Sequence, residues 1–244
     1  GAGGSDSRSG HVRVFECLQP SKADTGQVTC GGGWAQRGGD IDGQYYDFSG
    51  SSVAMSSTGD TVAVGSPRRT GHGGAIHGRV GVYDYDTELS AWEQRGATIS
   101  GEQVKDKFGA TLAMSDDGNT VAVGAYLNDA VYDDDCAGHV RVFDWDGASY
   151  AQRGADINGE SSSDYSGYSV AMDAAGNTVA SGARYTADAG CTLRVELALF
   201  QSAPPRAAHT RIGRLTVRSR WQLHGRSRAC FPLVELSIAD GLPD

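Results

Sequence analysis

The stretch from Phe108 to Ala125 reads FGATLAMSDDGNTVAVGA, and its pattern occurs three times in the chain. Related stretches run from Phe48 to Gly65 and from Tyr165 to Gly182. Each stretch contains one methionine, and the three are spaced 59 and 58 residues apart: Met55, Met114 and Met172. Self-similarity at one long period is the sequence signature of a repeat architecture, in which each unit is one supersecondary structure.

Two further motifs recur in the same order and at the same period. One is of the GHVRVF type, at Gly10–Phe15, Gly78–Tyr83 and Gly138–Phe143. The other is of the WAQRGGDIDG type, at Trp34–Gly43, Trp92–Gly101 and Tyr150–Gly159. The repeat is therefore predicted to cover residues 10–190 with a period of about 58–60 residues, after a flexible start at residues 1–9.

Each unit contains four runs with strand character. The Ser-Val-Ala-Met and Thr-Val-Ala-Val runs carry small and apolar residues, and the His-Val-Arg-Val-Phe run alternates polar with apolar residues. The Trp/Tyr-x-Gln-Arg-Gly run is less regular. Four strands at this period fit one blade of a β-propeller, whose narrow axis accommodates small residues. The predicted fold class is all-β, a partial, open β-propeller of about three four-stranded antiparallel blades with a poorly structured C-terminal tail.

The composition favours tight turns and excludes some partners. The 244 residues include 35 glycines and 6 prolines, and the net charge is −9. An acidic chain is a poor candidate for binding nucleic acid or an anionic membrane surface. No apolar run is long enough to span a bilayer, and the start shows no signal-peptide pattern. We expect an extracellular or cell-surface location, which suits an acidic, glycine-rich β chain.

The residues around Phe108 carry a family resemblance. Phe108-Gly109, Val123-Gly124-Ala125 and the later Gly138–Phe143 run resemble the FG-GAP repeat of integrin α-subunit propellers. The resemblance implies a seven-bladed propeller that is used for adhesion or ligand binding, with calcium held in some blades. The other two units depart from the pattern, with Phe48-Ser49 and Tyr165-Ser166 in place of the Phe-Gly pair.

The acidic centre of the opening stretch has two interpretations, a calcium loop and a turn. Calcium takes about six to eight oxygen ligands, and its loops place acids at alternate positions. Asp116 and Asp117 are adjacent, and each of the two sister copies has only one carboxylate. Every copy keeps a glycine followed by Asn or Asp and then Thr, so we predict structural turns at Gly59, Gly118 and Gly176.

A second acidic loop lies between two predicted strands of the middle unit. The corresponding loop of the first unit, Arg68 to His72, is basic, so a bound cation would be a property of one blade. Solvated charge on a loop is the alternative. The candidate calcium ligands are five oxygen-bearing side chains: Asn128, Asp129, Asp133, Asp134 and Asp135.

The sequence contains no catalytic constellation. It has no Ser/His/Asp set, no paired-carboxylate set and no phosphate-binding glycine loop with an adjoining helix. The recurring Gln-Arg pairs are too regular for a unique active site, so we predict that each Arg bonds to carbonyls of the next blade or to Asp40 and Asp156. His11 and His139 hold equivalent places in two units, which favours a structural role.

The repeat ends near Gly190. Residues 191–244 contain eight Arg and no Lys, and we predict little regular structure there, or isolated pieces packed on the blades. A translated intron or a shifted reading frame explains this change, and a partner-binding tail is the alternative. Cys17 and Cys30 flank an insertion, where free thiols are favoured over a disulfide.

The sequence therefore predicts a non-enzymatic FG-GAP module that recognises a protein or glycan through its blade loops. The repeat itself and the lack of a catalytic constellation motivate this hypothesis. One alternative is an accessory propeller domain of a larger hydrolase, and another is a structural repeat without a specific ligand. Calcium is the one cofactor that the sequence suggests, and further blades from a longer chain are expected to complete the propeller.

Overall fold

The computed structural model describes residues 9–22, 28–67, 77–128 and 136–185, together with the backbone of four strands beyond them. These residues form antiparallel sheets, and no helix that could cross a membrane is found among them. The predicted all-β class and the partial, open propeller are confirmed. The sheets are named below as a half-blade followed by the first, second and third blades.

Three sheets follow one another along the chain. The first blade has the order β10-β9-β8-β7 with β11 beside β9: β7 Ser52–Met55, β8 Thr61–Ser66, β9 Arg79–Asp86, β10 Ala91–Gln94 and β11 Ile99–Ser100. The second repeats this order: β12 Thr111–Met114, β13 Thr120–Ala125, β14 His139–Trp145, β15 Tyr150–Gln152 and β16 Ile157–Asn158. The third has the order β17-β18-β19-β20: β17 Ser169–Met172, β18 Thr178–Gly182, β19 Arg194–Leu199 and β20 Arg211–Thr216.

The half-blade precedes these sheets and contains strands equivalent to the outer strands of a blade. β1 pairs with β6 and β2 with β5: β1 His11–Val12, β2 Phe15–Cys17, β5 Trp34–Gln36 and β6 Ile41–Asp42. Between β2 and β5 a hairpin projects, formed by β3 Pro20–Lys22 and β4 Val28–Cys30. A disulfide joins Cys17 to Cys30 across this hairpin, so the interpretation as free thiols is wrong for this pair.

The segment 191–244 contributes strands to the structure. β19 pairs with β18 and β20 with β19, and these two strands complete the third blade. The Arg194–Leu199 run alternates charged or small residues with apolar ones, which suits a strand although it lies outside the repeat. A separate hairpin follows, formed by β21 Arg220–His224 and β22 Ser227–Phe231. The sequence predicted little regular structure in residues 191–244, or isolated pieces packed on the blades. The structure instead has four strands there.

The inner strands β7, β12 and β17 lie side by side around a common hub. The hydroxyl of Ser52 donates to the Gly109 carbonyl of the next blade at 2.7 Å, and that of Thr111 donates to the Gly167 carbonyl at 2.7 Å. A Cβ at Gly124 would lie 2.3 Å from the carbonyl oxygen of Gly167. The hub therefore has no room for a side chain there, because backbones of adjacent blades approach directly.

The hydrophobic core lies between blades rather than within one sheet. Ala63, Val80 and Val82 of the first blade pack with Val121 and Val123 of the second. A second cluster joins the second and third blades through residues of β13, β14 and β18: Ala122, Val140, Val142 and Val179. Alternate residues of one strand thus face opposite neighbours, as expected for a sheet that is covered on both faces.

Tight turns connect the first two strands of each blade. Gly59, Gly118 and Gly176 have φ of +75°, +72° and +70°. Their N–H groups donate at 3.0 Å to carbonyls at the start of each turn: Ser56, Ser115 and Asp173. This is a backbone turn closed by its own hydrogen bond, and its positive φ favours glycine.

The recurring arginines clamp each turn to the preceding blade. Arg37, Arg95 and Arg153 donate through Nη1 to the carbonyls of the turn glycines in the next blade, at 3.0, 3.1 and 2.7 Å. The prediction that these arginines bond to carbonyls of the next blade is confirmed. It is the adjacent glutamines, Gln36 and Gln152, that donate to Asp40 and Asp156, both at 2.7 Å.

Candidate functional site

One loop leads into each inner strand, and a buried carboxylate shapes it. Asp47, Asp106 and Asp164 are all buried. Through Oδ2 each accepts, at 2.9 Å, the N–H of the residue three positions earlier: Gln44, Gln103 and Ser161. This hydrogen bond, from the main chain to a side chain three residues later, closes each loop into a fixed turn. The three loops lie beside one another at one end of the hub and surround its opening. We call this opening the mouth of the hub and the three loops its rim.

The residue after each buried carboxylate has a left-handed backbone. Phe48, Lys107 and Tyr165 have φ of +55°, +61° and +57°. Non-glycine residues are uncommon in this region, and such conformations cluster at ligand sites and tight turns. The three positions are equivalent in the repeat, yet they carry an apolar ring, a cation and a phenol.

A cavity of about 360 Å³ lies at the mouth of the hub, between the first and second blades. Its lining comes from the loops before the inner strands and from the ends of β8 and β13: Phe48, Ser51, Pro67, Lys107, Ala110, Thr111, Tyr126 and Tyr168. The repeat shows three sets of equivalent positions among these and their neighbours: Phe48, Lys107 and Tyr165; Ser51, Ala110 and Tyr168; Pro67, Tyr126 and Arg184. No set carries the same residue twice.

Aromatic rings form one side of the cavity mouth. The rings of Tyr126 and Tyr168 lie 5.2 Å apart, and Tyr165 lies 6.5 Å from Tyr126. The Arg184 guanidinium lies 5.1 Å from the centre of the Tyr168 ring, and its Nη1 donates to the Tyr168 hydroxyl at 3.4 Å. Burial raises the pKa of Tyr126, so its phenol remains a hydrogen-bond donor at neutral pH.

Acidic groups behind the rim belong to the scaffold. Asp47 forms an ion pair with Arg79 through Oδ2. Asp106 accepts a hydrogen bond from Asn128 Nδ2 at 3.1 Å. A buried carboxylate needs such partners, because leaving its charge unpaired in a low-dielectric interior is costly.

Of the predicted calcium ligands, Asn128 lies within the described residues. It is buried, its N–H donates to Ala125 O at 3.0 Å, and its carbonyl accepts from the Gly138 N–H at 3.0 Å. Its side-chain nitrogen is directed at Asp106. The other four ligands, Asp129, Asp133, Asp134 and Asp135, lie outside the described residues. No group of three metal-ligating side chains is present in the described part of the chain, and the calcium site stays a prediction.

His139 occupies the position that Arg79 holds in the first blade. Its side chain is 1% exposed, and its Nδ1 lies 3.8 Å from Asp156 Oδ2. Burial lowers the pKa of His139 to about 4, and this effect outweighs the opposing attraction of Asp156. The imidazole is therefore neutral at pH 7, and it is not among the residues that line the cavity.

Comparisons with known proteins bear on the fold. No family model and no curated protein matches the chain. A Bacteroides uniformis structure assigned as a 6-phosphogluconolactonase has 12% identity and a TM-score of 0.40. The periplasmic gluconolactonase of Pseudomonas aeruginosa has 14% identity and a TM-score of 0.40. The match covers 86% of this chain in both cases, and it spans 54% and 66% of those chains. Similarity at this level assigns no activity here.

These comparisons correct the functional expectation. These two structures are assigned as lactonases, which are enzymes, whereas the sequence predicted a non-enzymatic module of the FG-GAP, integrin-like adhesion type. The recognition of that family, the adhesion function and the exclusion of an enzyme are therefore wrong as predicted. The β-propeller is the part of the expectation that is confirmed, while calcium, the partners and the location stay predictions.

The structure explains why the resemblance misled. Gly10 bridges to Ser49 and Gly138 bridges to Ser166, while a Cβ on Gly78 would meet the backbone of Phe108. Phe108 is therefore equivalent to two serines and not to Phe48 or Tyr165, which stand one position earlier. The Phe-Gly pair is a single occurrence that fills the core between two blades, and it is not a repeated motif.

Sequence reasoning missed the residues of the cavity. Lys107, Tyr126 and Tyr168 belong to no recurring motif, because the equivalent positions in the other blades carry different residues. A signal was nevertheless present: three residues before Gly50, Gly109 and Gly167 each unit has an aspartate. A loop aspartate that recurs in every unit, followed by residues that differ between units, therefore marks the loops at the mouth of the hub.

Proposed function

We propose that the hub cavity binds a small anionic molecule that has a flat or apolar face. The observation that carries this proposal is the contrast within the repeat. Positions that shape the hub keep one residue type in all blades, as at Gly50, Gly109 and Gly167, whereas three sets of positions at the cavity carry a different residue in each blade. Thr111 is the exception among the lining residues, because both of its equivalents are serines. Side chains that depart from a uniform scaffold and converge on one cavity are the ones that we expect to contact a ligand.

Two cationic side chains favour an anionic ligand. Lys107 lines the cavity, and Arg184 lies over the ring of Tyr168, which lines it as well. The nearby carboxylates Asp47 and Asp106 are held by Arg79 and Asn128. A carboxylate or phosphate group gains charge-assisted hydrogen bonds from such cations, and these are roughly twice as strong as neutral ones.

The aromatic lining of the cavity favours a ligand that carries a ring. Phe48, Tyr126 and Tyr168 offer ring surfaces on which the face of a sugar or an aromatic ring can stack. The cavity volume of about 360 Å³ is near the lower end of ligand pockets, which span about 300–1,000 Å³. A ligand the size of one ring with an acidic substituent fits these limits.

Isothermal titration calorimetry with glucuronate and benzoate tests the proposal. We expect both anions to bind, and we expect Lys107→Met to weaken the binding about tenfold or more, because a charged hydrogen bond contributes about 1.5–3 kcal/mol. Lys105→Met is the matched control: this lysine is in the same loop, also has a positive φ, and does not line the cavity. Glucose, which lacks the charge, should bind less tightly than glucuronate.

Two results would contradict the proposal. One is no binding by any anion of this size, and the other is an equal loss in the Lys105 and Lys107 variants. Turnover is tested separately with gluconolactone, by following the release of acid. Hydrolysis that is lost in Lys107→Met and kept in Lys105→Met would locate a reaction in the same cavity.

A further inference from the structure

The polar side chains that line the hub cavity divide into two kinds. Five of the eight lining residues carry polar side-chain atoms: Ser51, Lys107, Thr111, Tyr126 and Tyr168. The hydrogen bonds that each already makes within the protein determine whether it can offer a ligand a proton or a lone pair. On this basis two of the five are acceptors, and the other three are donors.

The two acceptors are hydroxyl groups whose own protons are bound by the scaffold. Ser51, the residue before β7, donates to the Phe48 carbonyl at 2.6 Å. Thr111, the first residue of β12, donates to the Gly167 carbonyl at 2.7 Å. A hydroxyl group has one proton and two lone pairs, so only the lone pairs of these two oxygens remain for a ligand. One acceptor therefore comes from each of the two blades that flank the cavity.

The three donors are a cation and two phenols. The Lys107 ammonium group donates and cannot accept. Burial raises the pKa of Tyr126, so its phenol keeps its proton at neutral pH. The Tyr168 hydroxyl accepts a hydrogen bond from Arg184 Nη1 at 3.4 Å, which leaves its own proton to donate. These donors suit an anionic group, which accepts several hydrogen bonds at once.

Both acceptors hold fixed positions before a ligand binds. The hydrogen bond of Thr111 crosses to the third blade, so it fixes the side chain against the hub. The hydrogen bond of Ser51 returns to Phe48, whose left-handed backbone is part of the rim. A group that is already ordered loses little conformational entropy on binding, so a fixed acceptor is effective for recognition.

An acidic ring without hydroxyl groups would satisfy only the donors. The ring of benzoate, for example, would place C–H groups against the two hydroxyl oxygens and displace the water that solvates them. An acceptor that loses water without gaining a partner costs free energy, whereas a ligand hydroxyl replaces that water directly. A ring that carries both an acidic group and hydroxyl groups can match all five polar side chains.

We propose that the hub cavity selects a hydroxylated ring acid of the uronic acid type. Its acidic group accepts hydrogen bonds from Lys107 and the two phenols, and its ring hydroxyls donate to Ser51 and Thr111. This inference rests on the proposed function and narrows it, because the aromatic lining by itself accommodates both a sugar ring and an aromatic ring.

Isothermal titration calorimetry with glucuronate and cyclohexanecarboxylate tests this selection. The two anions have the same charge and ring size, and they differ in the ring hydroxyl groups. A neutral hydrogen bond changes affinity about two- to tenfold, so two of them should make glucuronate bind at least about tenfold more tightly. Ser51→Ala and Thr111→Val should each weaken glucuronate binding about two- to tenfold and leave cyclohexanecarboxylate binding within about twofold.

Ser52→Ala is the matched control for both variants. Ser52 donates to the Gly109 carbonyl at 2.7 Å, as Thr111 does to Gly167, but it does not line the cavity. This variant loses a hydrogen bond between blades and should bind both anions as the unaltered chain does. Ser51 is exposed and its hydrogen bond is local to its loop, so Ser51→Ala continues the test should Thr111→Val fail to fold.

The outcomes separate this inference from the proposed function. No binding of either anion contradicts both. Equal affinities for the two anions, a preference for glucuronate that neither cavity variant reduces, or a similar reduction in Ser52→Ala overturns the selection for hydroxyl groups and leaves an anion-binding cavity. A preference for glucuronate that falls in Ser51→Ala or Thr111→Val, and not in Ser52→Ala, supports the selection.

Discussion

Gly118 shows how one residue can meet two requirements of this repeat. Its φ of +72° closes the turn between β12 and β13. A Cβ at this position would lie 2.9 Å from Thr61 Cβ in the preceding blade. Gly59 has the same role in its own turn, but a Cβ there would lie 3.7 Å from its nearest neighbour, which is ordinary contact.

The pair of glycines gives a prediction that separates strain from crowding. We expect Gly59→Ala to lower the free energy of unfolding by about 1 kcal/mol, the cost of a left-handed alanine. Gly118→Ala should cost about 1–2 kcal/mol more, because the blades must also separate around the new methyl group. Urea denaturation measures both values. Equal losses would mean that the contact with Thr61 relaxes freely.

At the scale of elements, the Gln-Arg motif acts between blades. Arg95 donates through Nη1 to Gly118 O at 3.1 Å and through Nη2 to Asn119 Oδ1 at 2.8 Å. Its guanidinium lies 5.0 Å from the centre of the Trp145 ring. The side chain of Arg95, the residue after β10, thus contacts both the tight turn and the third strand of the next blade.

Replacing this arginine by lysine tests the clamp. Arg95→Lys keeps the charge and loses the planar fork, so we expect a loss of about 1.5–3 kcal/mol in the free energy of unfolding. Arg13→Lys is the control, because its side chain is 50% exposed and its ion pair with Asp40 lies at the surface. That variant should change stability by less than about 0.5 kcal/mol. Similar losses in both variants, measured by thermal and urea unfolding, would contradict the clamp.

The sequence predicted the elements that repeat and missed those that do not. Periodicity locates the blades, and the regular Gln-Arg pairs predict contacts between blades. β19 and β20 were not predicted, because their segment shares no motif with the units. The cavity was not predicted either, because Lys107 and Tyr168 become neighbours only when the blades are arranged around the hub.

At the scale of the whole molecule, one buried base links stability to pH. The pKa of His139 in the folded state is about 4, below the value of about 6.5 for an unfolded chain. The unfolded state therefore binds the proton more readily between these values. Stability is fully present above about pH 6.5 and falls as the pH drops towards 4.

A histidine variant should change that pH profile. We expect His139→Gln to reduce the loss of stability between pH 7 and pH 4 by up to about 3 kcal/mol, since one pKa unit corresponds to about 1.4 kcal/mol. His11→Gln is the control, because His11 holds the equivalent position in the half-blade and is exposed. The measurement is urea unfolding at a series of pH values. An unchanged slope in His139→Gln would contradict the assignment.

The disulfide-closed hairpin has a consequence for how this fold can be extended. In the first and second blades the corner between the third and fourth strands is a short turn, which Asp86 and Asp146 close by accepting backbone N–H groups at 2.8–2.9 Å. The half-blade has β3 and β4 at the same corner, and the pairing of β2 with β5 is kept. This outer corner of the sheet therefore tolerates added length, and we expect that a fluorescent label or an affinity tag inserted there leaves the hub cavity unchanged.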